Sequence, residues 1–407
     1  MTKMTRMDFV ASVRARIGWK ALTADEYQEY GYAFLSTPNI KSRDIDFTNV
    51  NYISQIRYDE SPELKLQVGD VLLAKDGSTL GITNTVRSLP RPATVNGSIA
   101  VIRPHGVDSR FLSYWLQGSS IQSQIQQLKD GMGVPHLFQA DIRKLPVPAS
   151  DCELQRRIAD FLDDRVARID QIIAARRDQE VLVAGLWLEH LRELTESSDA
   201  KGWGRPRVAQ AFRTGSGSTP PSDRLHYFDG GVPWVNTGDV KDGPLRVTGR
   251  TLSPSALADF STLVLYPPGS LVIAMYGQGA TKGRAALLEV EACVNQACCV
   301  LQGDPLLLGW AFHWFRAHKP QVVELANGAG QPNLSQDIIR NVRLAFPPHQ
   351  ELASLLKGIE RREAAMTGTR DALRRQIGLL QEYKQSLITA AVTGELDVTT
   401  AGSGIPG

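Results

Sequence analysis

The chain has 407 residues, of which 42% are apolar and 22% charged, with a formal charge of +2. Single cores seldom grow beyond ~250–300 residues, so a one-domain architecture is excluded and two domains are expected. The near-neutral balance also excludes attraction to nucleic acid through overall charge; any such surface must gather its cations on one face.

No hydrophobic leader core follows Met1, and the longest apolar run, Leu263 to Met275, is cut by Pro267, Pro268 and Gly269. A cytoplasmic protein without a membrane span is therefore expected. Cys152, Cys293, Cys298 and Cys299 lack metal-site spacing and read as buried free thiols.

In chain order, Val71 to Ala74 is a continuous apolar run that predicts a buried strand, and Ile99 to Ile102 predicts another. The stretch 111–128 carries Tyr114, Trp115, Leu116, Ile121 and Ile125 at helical spacing, as core residues. After the proline stop Leu145-Pro146-Val147-Pro148, a long helix is predicted from Glu153 to Leu194. Its stripe is Leu154, Ile158, Leu162, Val166, Ile169, Ile173, Leu182 and Leu186, with Asp163 and Asp164 on a solvated face. A polar linker then precedes the strands Leu271 to Ala274 and Cys298 to Leu301 and an aromatic helix over 306–325. Beyond Phe346-Pro347-Pro348, Leu352, Ile359, Met366, Leu373, Leu380 and Leu387 recur at every seventh position, with polar breaks at Glu363, Arg370 and Lys384. That is a heptad seam. At ~1.5 Å per residue each long helix spans roughly 60 Å, and one narrow apolar stripe needs a partner, for which the other helix is the candidate.

A repeat of about 200 residues runs through the chain. Phe34 to Ile40 lies against Trp234 to Val240, Val68 to Gly77 against Pro268 to Gly277, and Val95-Asn96 against Val294-Asn295. Gly131 to Leu137 answers Gly328 to Leu334, and Pro148 answers Pro347. The matches keep order and register, so the chain is a tandem duplication of a globular part followed by a long helix. The expected domains are 1–150, a helix over 151–198, a second domain over 199–348, a helix over 349–396 and a flexible tail over 397–407.

Reagents for catalysis are missing. No phosphate-cradling GxxxxGK[ST], no GxGxxG between strand and helix, no [DNS]PP[YFW] of a methyltransferase acting on an amine, and no HExxH or paired CxxC occurs. Gly215-Ser216-Gly217-Ser218 approaches a nucleophile elbow but reads as a turn with no strand before it. His313 and His318 do not share a helix face and read as structural or surface residues. What remains are glycine-containing polar loops at matching places: Lys75 to Gly81 with Tyr276 to Arg284, and Lys129 to His136 with Asn327 to Asn333. Glycines allow close backbone approach, and these side chains can bond phosphates and base edges. The two copies keep the glycines and change the lettering, as suits two parts reading different things. Lys75, Ser78, Thr79, Lys129, His136, Tyr276, Gln278, Lys282, Arg284, Gln331 and Asn333 are the candidate DNA-contacting residues. Ile158, Leu162, Ile169, Ile173, Leu182, Ile359, Met366, Leu373, Leu380 and Leu387 are those for helix or partner packing.

The chain resembles the specificity subunits of Type I restriction-modification enzymes. The resemblance rests on Pro233 to Val240, the Gly277 loop, Gly330-Gln331-Pro332-Asn333-Leu334, Phe346-Pro347-Pro348-His349-Gln350-Glu351 and the ending Gln385 to Leu396, with first-half counterparts at Gly131 to Pro135 and Leu145 to Pro148. The first long helix departs from the pattern by ending Leu191-Arg192-Glu193-Leu194 without the Thr-Gly-Glu-Leu turn. The resemblance implies an α+β chain of two mixed α/β target-recognition domains related by a pseudo-twofold, with the long helices packed as an antiparallel coiled coil. It further implies a non-catalytic reader of a bipartite, gapped double-stranded DNA target, with no cofactor of its own. Two methyltransferase subunits using S-adenosylmethionine would bind the helices, and restriction subunits using ATP and Mg would join that core. The alternative is a structural adaptor with duplicated helical arms and no DNA role.

Overall fold

The computed structural model describes residues 3–16, 22–41, 43–128, 135–196, 202–277, 280–328 and 332–398. Two compact units divide the chain: Met1–Arg177 with Arg374–Gly407, and Asp178–Leu373. The dividing points lie inside the long helices Cys152–Glu196 and His349–Thr393, so each unit holds a globular part and a stretch of both helices.

In the first unit an antiparallel sheet runs in the order Ala11–Arg14, Ile99–Pro104, Val71–Ala74, Thr83–Thr85. Val71–Ala74 is covered on both faces, which is why its sequence is continuously apolar rather than alternating. A second sheet sets Tyr32–Leu35 between Asn51–Ile53, antiparallel, and Ala93–Val95, parallel. Asp108 caps the helix Ser109–Gln117 by accepting from the amides of Arg110 and Phe111. Gly118 ends this helix before Ser119–Leu128 begins. The buried Trp115 donates its indole N–H to the Pro146 carbonyl over 2.7 Å, tying the aromatic helix to the segment that leads into the central helix.

The second unit repeats this plan. Its main sheet runs Arg213–Gly215, Cys298–Gln302, Leu271–Ala274, Ala285–Leu288, Pro244–Leu245, and only the last pairing is parallel. Its smaller sheet sets Phe228–Val235 between Arg250–Leu252 and Cys293–Val294. Asp304 caps the helix Pro305–Ala317, and Trp310 donates to the Ala345 carbonyl over 2.7 Å, as Trp115 does in the first unit. Gly69 and Gly269, which turn the chain into the two central strands, have φ of 94° and 87°, a region that favours glycine.

The long helices pair antiparallel. Within the second unit Glu180 meets Arg370 at 3.6 Å, and further along the central helix His190 accepts from Arg362, so the partner number falls as the central helix advances. Within the first unit Asp170 meets Lys384 at 2.7 Å, and Ile158, Leu162 and Val166 share a core cluster with Ile388, Ala391 and Val392. The polar breaks of the heptad seam all have counterions: Lys384 with Asp170, Arg370 with Glu180, and Glu363 with Arg316 of the aromatic helix at 2.6 Å.

Some expectations need correction. Ile158, Leu162, Ile169 and Ile173 are buried, but Leu182 is 60% exposed and Leu186 55% exposed. The stripe passes instead through Trp187 and Leu191, both buried, with Val183 half-buried, because Trp187 stands two heptads after Ile173 whereas Leu182, nine residues after it at ~100° per residue, comes out on the opposite side of the helix. Ile359 and Leu373 are buried, while Met366, Leu380 and Leu387 are half-buried. Asp163 is not on a solvated face; Tyr114, Arg87 and Arg110 enclose it. Cys293, Cys298 and Cys299 are buried free thiols, but Cys152 starts the central helix and is exposed. A strand, Arg213–Gly215, does precede Ser216. The Ser216 hydroxyl nevertheless donates to the Cys298 carbonyl over 2.9 Å, and a Cβ on Gly217 would lie 1.7 Å from the Val294 carbonyl oxygen, so this turn is packing and not a nucleophile elbow.

Candidate nucleic-acid interface

Two glycine-containing loops meet in each unit. In the first, the Leu137 amide donates to the Lys75 carbonyl and the Gly77 amide to the Pro135 carbonyl, both over 2.9 Å. Asp76 and His136 are antiparallel bridge partners there. In the second unit the Leu334 amide donates to the Met275 carbonyl over 3.1 Å, the same bond at the matching position. The Lys282 ammonium donates to the Pro332 carbonyl, and Asn327 and Asn333 exchange backbone bonds of 3.0 and 3.2 Å. Segments 60 residues apart in the first unit and 50 in the second are thus joined at the ends of the central strands Val71–Ala74 and Leu271–Ala274.

The side chains sort by exposure. Ser78 is exposed and Thr79 is held by donating to the Asp76 carbonyl over 3.1 Å. His136 is half-buried against Asp76, and Phe138, 50% exposed, lies edge-on to its ring at 4.6 Å between centroids. Tyr276 is 42% exposed, and Lys282 and Asn333 are half-buried. Lys75 departs from the expectation of a contact to DNA: only 7% exposed, its ammonium lies 3.5 Å from Asp76 and supports the loop from beneath. Arg284 is similarly turned towards Asp242 at 3.8 Å, which Lys319 also approaches at 3.8 Å. Burial lowers the Lys319 ammonium below its ordinary value, against the pull of Asp242. Lys129, Gln278 and Gln331, also singled out in the sequence, lie outside the described residues.

Asp76 and Phe138 were not among the sequence candidates. An acidic residue is a poor first choice for an anionic ligand, and a lone exposed aromatic gives no periodic signal. The sequence clue was positional, since Asp76 lies inside a loop already singled out. His313 and His318 are both buried, and burial lowers each to about 4, so they are neutral core histidines. Among the described residues no group of three or more His, Cys, Asp or Glu could hold a metal ion. No described helix is long and apolar enough to cross a membrane.

The family model described as the Type I restriction modification DNA specificity domain matches this chain twice, over residues 16–182 and 201–372. The chain belongs to that family. Each match takes in one globular part and much of the long helix after it, so the duplicated unit read from the sequence and the family's domain coincide in order. Among curated specificity-family relatives, the type I restriction enzyme MjaIX specificity subunit of Methanocaldococcus jannaschii is 21% identical over 330 residues, covering 75% of this chain and 74% of that one. A chain from a structure concerned with complex assembly and conformational transition of the type I R-M system superposes with a TM-score of 0.72 at 16% identity, covering 97% of this chain and 98% of the other. The HsdS subunit from Thermoanaerobacter tengcongensis gives a TM-score of 0.50 at 16% identity and 97% coverage of both chains. At these identities the structural likeness establishes the shared fold of two mixed α/β domains and paired long helices.

Proposed function

We propose that this chain is the non-catalytic, DNA-reading subunit of a Type I restriction-modification complex, each globular part reading one half of a bipartite, gapped target. The observation that carries the reading is the double match to the family's DNA specificity domain, over 16–182 and 201–372. The paired glycine loops support it: both units keep the Leu137 or Leu334 bond to the central strand while changing Asp76 to Tyr276 and His136 to Asn333. A constant frame with different lettering suits two half-sites of different sequence. Ser78, Thr79 and His136 in the first unit, and Tyr276, Lys282 and Asn333 in the second, are the proposed contacts.

Two methyltransferase subunits are the proposed partners, supplying S-adenosylmethionine chemistry that this chain lacks, with restriction subunits using ATP and Mg added to that core. The apolar side chains left exposed on the long helices suit such partners: Val181, Leu182 and Leu186 in the second unit, Leu379 and Tyr383 in the first. The helices would also act as a spacer, since two reading domains on a stiff element suit half-sites about one DNA turn, ~34–36 Å, apart.

Modified-base sequencing of DNA from cells making this chain with its methyltransferase partner tests the reading. A methylated, gapped, two-part motif is the expected result. Two proteins that co-purify without any methylated motif would instead favour an adaptor role, the reading to which the near-neutral charge of +2 is best suited.

A further inference from the structure

We infer that His136 reads one base of the first half-site as a hydrogen-bond acceptor, with Asp76 and Lys75 as positioning residues that set its tautomer. The inference rests on the DNA-reading function proposed above.

The geometry fixes the direction of each bond. His136 Nδ1 bonds Asp76 Oδ1. A carboxylate offers only lone pairs, so the bond requires the hydrogen on Nδ1, and the neutral ring then carries its lone pair on Nε2. Lys75, with its side chain 9% exposed, has its ammonium 3.5 Å from Asp76 Oδ2 and so holds the other side of the carboxylate. The backbone bonds from Gly77 to Pro135 and from Leu137 to Lys75 clamp the two loops, and Phe138 stands edge-on beside the imidazole. The neutral ring is therefore held on one side by the Lys75–Asp76 ion pair while keeping 35% of its side chain open to solvent. A loop staple needs no partly open imidazole.

An acceptor presented to the major groove selects a base that offers an amine there, N6 of adenine or N4 of cytosine. It meets lone pair against lone pair at O6 of guanine or O4 of thymine. The second unit has Met275, Tyr276 and Asn333 at the matching positions and cannot build this arrangement, so only one half-site should depend on it. That half-site contrast is an internal control.

The experiment is selection and sequencing of randomised duplex DNA bound by the full chain with its methyltransferase partner, comparing wild type with Asp76→Asn and His136→Phe. In Asp76→Asn the Lys75 ammonium donates to the amide oxygen, which turns the NH2 towards Nδ1 and moves the ring hydrogen to Nε2. The expected result is an inversion at a single position of one half-site, from adenine or cytosine to guanine or thymine, by roughly tenfold, with the other half-site unchanged. The wild-type base at that position tells adenine from cytosine. His136→Phe keeps a packed ring and should flatten the same position, which keeps the test valid if Asp76→Asn fails to fold. A wild-type motif that survives both substitutions at every position, or a uniform loss of affinity, overturns the inference and leaves DNA reading intact. A wild-type complex with no sequence preference overturns the proposed function as well.

Discussion

Tyr114 donates its hydroxyl hydrogen to the Asp163 carboxylate over 2.9 Å, joining the aromatic helix of the first unit to the central long helix. Arg87 and Arg110 reach the same carboxylate at 3.1 and 3.0 Å, so a residue that looks like helix-surface charge is the hub of a partly buried network. Burial pushes the Asp163 carboxyl up, but the bonds from Tyr114, Arg87 and Arg110 outweigh it and hold it below its ordinary value. The unfolded carboxyl titrates at about 4, so the network's stabilisation is complete above that pH and is lost as pH falls through the lower folded value. Asp163→Ala should destabilise the chain by about 2–3 kcal/mol at neutral pH. Thermal melts between pH 7 and 3 check the sign: Asp163→Ala should lie far below wild type at pH 7 and converge with it in acid, and a constant gap would contradict the assignment.

Leu182 and Trp187 lie five positions apart on the same helix and should behave oppositely. Leu182→Ser should change stability by no more than ~0.5 kcal/mol, because its side chain is 60% exposed. Trp187→Ala should cost ~3–5 kcal/mol, because that side chain is buried in the second unit's core. Leu182→Ser should instead weaken retention of the methyltransferase partner, measured by co-purification of the two proteins. Equal melting losses for both variants would mean that the buried stripe has been misassigned.

Thiol chemistry should separate Cys152 from the other three cysteines. Burial pushes Cys293 up to about 11 and Cys299 up to about 12, and raises Cys298 as well. Only the thiolate reacts, so alkylation of the native chain at pH 8 should label Cys152 alone, and all four should react after unfolding. Mass spectrometry of the labelled peptides reads this directly. Rapid native labelling at Cys298 would indicate that the second unit's main sheet opens.

If the long helices set the target gap, an insertion of about four residues after Arg176, roughly one helical turn or ~6 Å, should alter the spacing accepted between half-sites. Both half-sequences should stay as they were, since the reading loops are untouched. Methylation of a set of targets differing only in gap length measures this. Changed half-sequences would argue against a spacer role.

The duplication, the long helices and the buried central strands were legible because each leaves a local, periodic or repeated trace. Val71–Ala74 and Leu271–Ala274 are bounded apolar runs, and the heptad from Leu352 to Leu387 needs no knowledge of its partner. The loops bearing the candidate site were legible as well, through glycines kept in both copies. The roles inside them were not. Lys75 looks like a phosphate clamp and is a buried support, and Leu182 looks like seam and faces outwards.

The sequence by itself therefore determined the order of parts, the twofold repetition and the family, because these follow from patterns along the chain. Only the tertiary structure decided which charges are spent internally. Asp76 and His136 are 60 residues apart, Tyr114 and Asp163 are 49 apart, and Asp170 and Lys384 are 214 apart. Whether a lysine reaches out or an aspartate is enclosed depends on which distant group arrives within hydrogen-bonding distance and excludes water, and no local pattern encodes that.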